Sequence, residues 1–239
     1  MVSVVLPIFN ERDNLPPLLV ALDRVLESVE HEIIAVDDGS SDGSLDELEM
    51  LQHEHSSVVI VALETHAGQS AAFAAGFEVA RGEIVITMDA DGQNSADDIP
   101  GMLETLAREP GLAAVIGYRA NRADSRWKRV QSRVANSVRN WITSDGVRDT
   151  GCSLRAMRRE VLAKLPRFNG MHRFYPTLIR LAGGIVQEMP VAHLPRTSGS
   201  SKYGMWDRLF VGLYDAVGVR WLSRRALRYN ICNVRMESE

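Results

Sequence analysis

Long apolar runs are missing from this chain of 239 residues. No stretch approaches the ~20 consecutive apolar residues of a bilayer-crossing helix, and the opening residues lack the basic region and small-residue cleavage site of a secretory signal. Both absences predict a protein that stays in the cytosol. Cysteine is nearly absent: Cys152 and Cys232 lie far apart in no Cys-x-x-Cys pair, which excludes the common zinc and redox motifs and predicts reduced thiols. Lysine is scarce, with Lys128, Lys164 and Lys202 the whole complement among 27 basic residues. Glycine does not occur in residues 6–12, which argues against the glycine-rich phosphate loop that would open a nucleotidyltransferase of activated sugars.

Basic residues are also nearly missing from the first half. Residues 1–118 hold 4 of the 27 Lys and Arg but 22 of the 31 Asp and Glu, so the net charge of −4 conceals an acidic half followed by a basic one. The acidic side chains are mostly solvated, although a few can hold a divalent cation. A basic half in which Arg far outnumbers Lys suits phosphates or an anionic membrane surface, because the guanidinium fork matches phosphate geometry. A merely solubilising surface is the bland alternative, and nucleic acid, the competing partner, is not expected.

With 45% hydrophobic and 24% charged residues the chain can bury one substantial core. Strands are predicted at 2–6, 32–36, 58–63, 83–88, 112–117 and 185–192. Helical periodicity lies between the first five: Leu15, Leu18, Leu19, Leu22 and Leu26 after an N-cap candidate at Asn10, then Leu45, Leu48 and Leu51, a small-residue helix at 69–80, and 97–108. Strand and helix in alternation give an α/β fold with a mostly parallel sheet flanked by helices. Further helices are predicted at 126–142, 158–165 and 173–181, with loops at 144–151 and 195–204. No linker divides the chain: residues 1–205 are expected as one domain and 206–239 as a C-terminal amphipathic extension of it.

The sharpest chemical feature is Asp89-Ala90-Asp91, directly after a buried strand. Side chains at i and i+2 of extended chain project to one face, so both carboxylates can approach one cation. They fall beyond the carboxyl end of the strand, where ligands of open α/β sheets bind. Oxygen ligands few in number suit Mg²⁺ or Mn²⁺ shared with a substrate's phosphates, whereas an isolated Asp-x-Asp is equally a turn. Val36-Asp37-Asp38-Gly39-Ser40 also ends a strand, and either accepts hydrogen bonds from a nucleoside or makes an Asx turn before the helix near Ser44. Leu6-Pro7-Ile8-Phe9-Asn10-Glu11 offers a rigid wall, a ring and an acid to a nucleobase, or simply caps a helix.

Together, Val5 to Glu11, Val36 to Ser40 and Asp89-Ala-Asp-Gly-Gln93 resemble family 2 glycosyltransferases of the GT-A, Rossmann-like fold. Asp149-Thr-Gly-Cys-Ser-Leu-Arg155 and His193-Leu-Pro-Arg-Thr-Ser-Gly-Ser-Ser-Lys-Tyr203 resemble the polyprenyl-phosphate branch related to dolichyl-phosphate mannose synthase. The resemblance implies that Pro7, Phe9, Glu11, Asp37 and Asp38 contact the donor's nucleoside. It further implies that Asp89, Asp91 and Gln93 hold the metal and diphosphate. Arg119 would face the phosphates, Arg196, Ser201 and Lys202 would close over the donor, and Lys128, Arg129, Ser132 and Arg133 would bind the acceptor phosphate. Phe9 departs from a more frequent Tyr, Gly92 from a bulkier Leu, and Cys152-Ser153-Leu154 from a Ser-Gly-Phe-like stretch.

The expected reaction is a single inverting displacement that carries a sugar from a nucleotide sugar to a dolichyl or undecaprenyl phosphate. GDP-mannose is the first choice of donor and UDP-glucose the second. A phosphate monoester is largely dianionic at neutral pH and needs no strong base, so alignment and stabilisation of the leaving diphosphate remain for the protein. A hydroxyl acceptor on a cell-surface glycan is the alternative, and would need a carboxylate base, with Asp149 the candidate. A non-catalytic membrane adaptor would leave the aspartate motifs unexplained.

From Trp206 onward, Leu209, Phe210, Leu213, Tyr214, Val217, Trp221 and Leu222 recur at helical spacing, flanked by Arg208, Arg220, Arg224, Arg225 and Arg228. This pattern fits a helix in a membrane interface or one packed on the core. The former would make the protein peripheral on the cytoplasmic face, where a small integral-membrane partner or flippase is conceivable. His53, His55, His66, His172 and His193 are read as structural.

Overall fold

The computed structural model describes residues 1–120, 139–143, 146–195 and 205–226. Among them, seven strands form one sheet in the order β3-β2-β1-β4-β6-β5-β7. In chain order the strands are β1 Val2–Ile8, β2 His31–Asp37, β3 Val58–Ala62, β4 Ile84–Thr87, β5 Leu112–Arg119, β6 Arg155–Arg158 and β7 Ile185–Val191. All run parallel except β6, which is antiparallel to both β4 and β5. The helices are α1 Leu15–Leu26, α2 Ser44–Glu54, α3 Gln69–Val79, α4 Ile99–Arg108, α5 Arg159–Leu162, α6 Tyr175–Leu181 and α7 Met205–Arg225. This is the mixed, mostly parallel GT-A arrangement that the motifs implied.

The sheet is covered on both faces, and for that reason β1 reads as a nearly continuous apolar run rather than an alternation. Val4, Leu6 and Ile8 enter the core shared with α1, α2 and α4, while Val5 enters the core shared with α3 and α6. The five α1 leucines that set its helical period are all buried. α3 is built of small residues for a different reason. A Cβ on Gly76 would stand 2.3 Å from Val5 Cγ1, so only glycine lets the helix lie this close to β1. Pro7 pairs with Val36 of β2, but like Val5, whose carbonyl accepts from the Met88 N–H, it turns its backbone toward β4, and that strand ends at Thr87. No ladder bond is lost there.

Three sequence expectations are corrected. Asn10 does not cap α1, which starts at Leu15; Asn10 instead takes a left-handed φ of 55° and accepts from the Ser41 N–H through Oδ1 at 2.7 Å. Asn tolerates that conformation better than most residues because its short amide bonds locally. β6 was not foreseen, and the helix expected at 158–165 shrinks to α5, because Arg155-Ala-Met-Arg158 pairs with β4 and β5. Of the helix expected at 126–142, residues 139–142 are helical and 126–138 lie outside the described residues.

α7 lays Ala216 and Val219 on the α3/α6 core, with Leu222 beside them. The rest of its described apolar stripe faces outward: Tyr214 is 81% and Trp221 63% exposed, and Leu213 and Val217 line the same surface with Val211. Trp141 is exposed on the helical segment 139–143, whose backbone carbonyls at 141 and 142 accept from Arg220 of α7. No described helix is long and apolar enough to cross a membrane.

Candidate active site

The strand order sets where a ligand can sit. The chain runs outward from β1 through β2 to β3 and then returns to place β4 on the other side of β1. Loops leaving β1 and β4 therefore diverge and open a crevice at the carboxyl edge of the sheet. Pro7, Phe9, Glu11, Asp37, Asp38, Asp89, Asp91 and Arg119 all stand at or just beyond the carboxyl ends of β1, β2, β4 and β5.

On the β1/β2 side the two aspartates differ. Asp37 is buried, accepts from the Ser40 N–H at 3.2 Å through Oδ2, and has no hydrogen-bond partner at Oδ1 among the described residues. Asp38 is held instead by the loop after β3. Its carboxylate accepts from the backbone N–H groups of Ala67 at 2.7 Å and Gly68 at 2.9 Å, and pairs with His66 Nδ1 at 2.9 Å. Gly39, at φ 69°, makes this approach possible, since a Cβ there would lie 2.7 Å from the His66 backbone nitrogen. Glu11 accepts from Asn14 Nδ2 at 2.7 Å, so one of its oxygens helps to order the turn into α1.

On the β4/β6 side, Asp89 accepts from Gln69 Nε2 at 2.6 Å, and its backbone N–H donates to Ser153 Oγ. Burial, together with the neighbouring charge of Asp91, pushes the Asp89 carboxyl up to about 6, against hydrogen bonding from Ser153 and the charges of Arg155 and Arg119. A carboxylate pair in that state is short of positive charge. Asp91 accepts from the Gln93 backbone N–H at 3.1 Å, and the Gln93 carbonyl accepts from Leu194. This second contact and the Asn94–His193 bridge bring the chain after β7 to the same edge. Among the described residues no three His, Cys, Asp or Glu side chains form a cation cage. Two carboxylates alone fit a cation that keeps water and phosphate oxygens in its shell, as Mg²⁺ does.

Arg119 is not a free cation at this edge. Its Nε and Nη2 grip both oxygens of Asp149 at 2.7 and 2.9 Å, and both side chains are largely buried. Burial would lower the guanidinium pKa, yet the Asp149 hydrogen bonds and charge raise it. Beneath the pair lies Arg155, fully buried in β6, with its guanidinium 5.4 Å from the centre of the Tyr175 ring and its Nε and Nη1 without partners among the described residues.

Several of these residues were missed in sequence reasoning. Gln69 lies 20 positions from Asp89 and carried no motif signal beyond opening α3. His66 and His172 were read as bland. His172 is largely buried, and burial with the charges of Arg173 and Arg155 pushes it down to about 3, so the ring is neutral and its Nδ1 shares a hydrogen bond of 2.7 Å with the Ser70 hydroxyl. Lys128, Arg129, Ser132, Arg133, Arg196, Ser201, Lys202 and Cys232 lie outside the described residues. Cys152 is a buried free thiol whose pKa burial raises, consistent with a bland role.

Residues 3–166 match a sequence model described as glycosyl transferase family 2. Over 91% of its length the chain is 39% identical to an undecaprenyl-phosphate 4-deoxy-4-formamido-L-arabinose transferase of Pseudomonas paraeruginosa, of which it covers 64%. It is 36% identical, over 95% of its length, to a dodecaprenyl-phosphate galacturonate synthase of Rhizobium johnstonii, of which it covers 68%. The chain thus spans about two thirds of these relatives. Among solved structures it resembles glucosyl-3-phosphoglycerate synthase of Mycobacterium tuberculosis in complex with Mg²⁺ and UDP. That likeness has a TM-score of 0.69 at 20% identity and covers 96% of this chain and 80% of that one, which speaks to the fold.

Proposed function

Because the chain belongs to glycosyl transferase family 2, we propose that it transfers a sugar from a nucleotide diphosphate sugar to a polyprenyl phosphate, with inversion and with a divalent cation. The observation that carries the acceptor class is the Arg119–Asp149 fork. Asp149 was the carboxylate candidate for deprotonating a hydroxyl, and it is held in a buried bidentate pair. A dianionic phosphate acceptor requires no such base. The relatives named above carry undecaprenyl and dodecaprenyl phosphate in their names, and the wider activity is read from them.

Asp37, Phe9, Pro7 and Glu11 form the nucleoside end of the crevice. Asp89 and Asp91, with Gln93, are positioned to hold Mg²⁺ or Mn²⁺, which supplies charge to the leaving diphosphate when bound. Gln69 fixes the Asp89 carboxylate, and Arg119, oriented by Asp149, offers its remaining N–H groups to phosphate. Lys128, Arg129, Ser132, Arg133, Arg196 and Lys202 keep the acceptor and donor roles that the family motifs imply. The exposed aromatic and aliphatic face of α7, flanked by Arg220, Arg224 and Arg225, would rest in the cytoplasmic membrane interface where the acceptor lies.

The test is transfer of labelled sugar into an organic-extractable polyprenyl phosphate, with and without Mg²⁺ or Mn²⁺. GDP-mannose and UDP-glucose head the donor panel in that order. A nucleotide-activated galacturonate joins them because of the named relative. Metal-dependent label in the lipid phase is expected; label on a water-soluble glycan instead would transfer the reading to a hydroxyl acceptor. Asp91→Ala should lower turnover about a hundredfold or more while leaving the thermal melt unchanged.

A further inference from the structure

Contacts with three residues converge on His66, in the loop that follows β3. Its ring stacks on Phe9 with centroids 3.9 Å apart and planes inclined by 21°. Its Nδ1 meets the Asp38 carboxylate at 2.9 Å. Asp38 is itself held by the next two backbone N–H groups of the same loop, and the His66 backbone lies against Gly39, where a Cβ would find no room. The Asp38 carbonyl stands 3.3 Å from the same Nδ1; carboxylate and carbonyl oxygens only accept, so Nδ1 carries the hydrogen and the orientation of the ring is fixed. For all that restraint the side chain remains 40% exposed. Nothing in the folding of the loop requires an exposed ring here, since Ala67 and Gly68 already satisfy Asp38.

We propose that His66 positions the nucleobase of the donor: with Phe9 it forms a two-ring stacking surface at the nucleoside end of the crevice, and Asp38 serves as the anchor that orients its ring. This inference rests on the nucleotide-sugar reading above and assigns that reading a residue it had lacked. The two rings are already in contact, so the base stacks on the outer face of the pair and not between them. Asp37, one residue away in the same turn and with Oδ1 unpartnered among the described residues, is left as the carboxylate that can accept from the base or ribose.

Calorimetric titration of the full chain with UDP, GDP and inorganic pyrophosphate, each with Mg²⁺, tests the assignment. His66→Ala should weaken whichever nucleotide the unaltered chain binds by about tenfold and leave pyrophosphate binding unchanged. His66→Phe, which restores a ring without the Asp38 pair, should recover most of the loss. In the transfer assay the same change should appear in KM for the donor and not in kcat. Unchanged nucleotide binding by His66→Ala would overturn the assignment, as would a parallel loss of nucleotide and pyrophosphate, which would mean that the loop had simply collapsed. An unaltered chain that binds neither UDP nor GDP would instead bring down the donor reading itself.

Discussion

Glu32 shows at the scale of one residue how a buried charge is made tolerable at the edge opposite the crevice. Its carboxylate accepts from the Ser3 hydroxyl at 2.6 Å and from the Arg81 backbone and Nε at 2.7 and 2.8 Å, and it pairs with the Arg81 guanidinium. Burial alone would raise its pKa; these bonds more than offset it and hold the carboxyl below its ordinary 4.5. A folded-state value below the unfolded one means that the stabilisation is present above the unfolded pKa and is lost as pH falls through the folded value. Glu32→Gln should therefore cost about 1–3 kcal/mol near neutrality and almost nothing in strong acid. Urea denaturation at both pH values measures the difference, and an equal loss at each would refute it. His66 teaches the complementary lesson about legibility. Phe9, Asp38 and Asp89 were readable because each sits in a short motif at a strand end, whereas a histidine whose partner stands 28 positions away leaves no local pattern.

At the scale of elements, α3 depends on the absence of one side chain. Gly76→Ala would drive a methyl into Val5, and overpacking of this kind costs about 1–3 kcal/mol. The thermal midpoint should fall, and Val5→Ala in the same chain should restore part of the loss, because the two sites share one contact. Additive losses in the double variant would show that Val5 is not the obstacle. The first five strands and four helices were legible because their apolar periods agree with their burial, as the five α1 leucines do. β6 was not, for a physical reason: four residues bounded by arginines carry no period. Arg155 is accepted there because its neighbours supply a ring face and a carbonyl at Thr150. In α7 the spacing gave the helix but not its orientation. Among its described residues Leu213, Tyr214, Val217 and Trp221 face outward, while Ala216 and Val219, with Leu222 beside them, do the packing.

For the molecule as a whole, the split between an acidic first half and an Arg-rich second half predicts electrostatic orientation on an anionic surface. Vesicles containing anionic lipid should bind the chain more tightly than zwitterionic ones. Raising the salt should release it, and Tyr214→Ser with Trp221→Ser should weaken binding at every salt concentration, as read by co-sedimentation. Binding indifferent to both lipid charge and these two residues would refute the surface assigned to α7. The insertion of β6 between β4 and β5 has one more consequence, and it is kinetic. β1, β2 and β3 pair across only 25 to 29 residues, as in Ile33–Val58 and Val2–His31, but β4 joins β1 across 82, from Val2 to Ile84, and β6 joins β4 across 68 to 74, from Thr87–Arg155 to Ile84–Arg158. Contacts so distant are entropically slow to close. Pulse-labelled hydrogen exchange during refolding should find the amides of β1 and β2 protected before those of β6. Asp89 would thus gain its Ser153 contact only after β1 and β2 have paired, and a partly folded chain would hold half a site unable to turn over substrate.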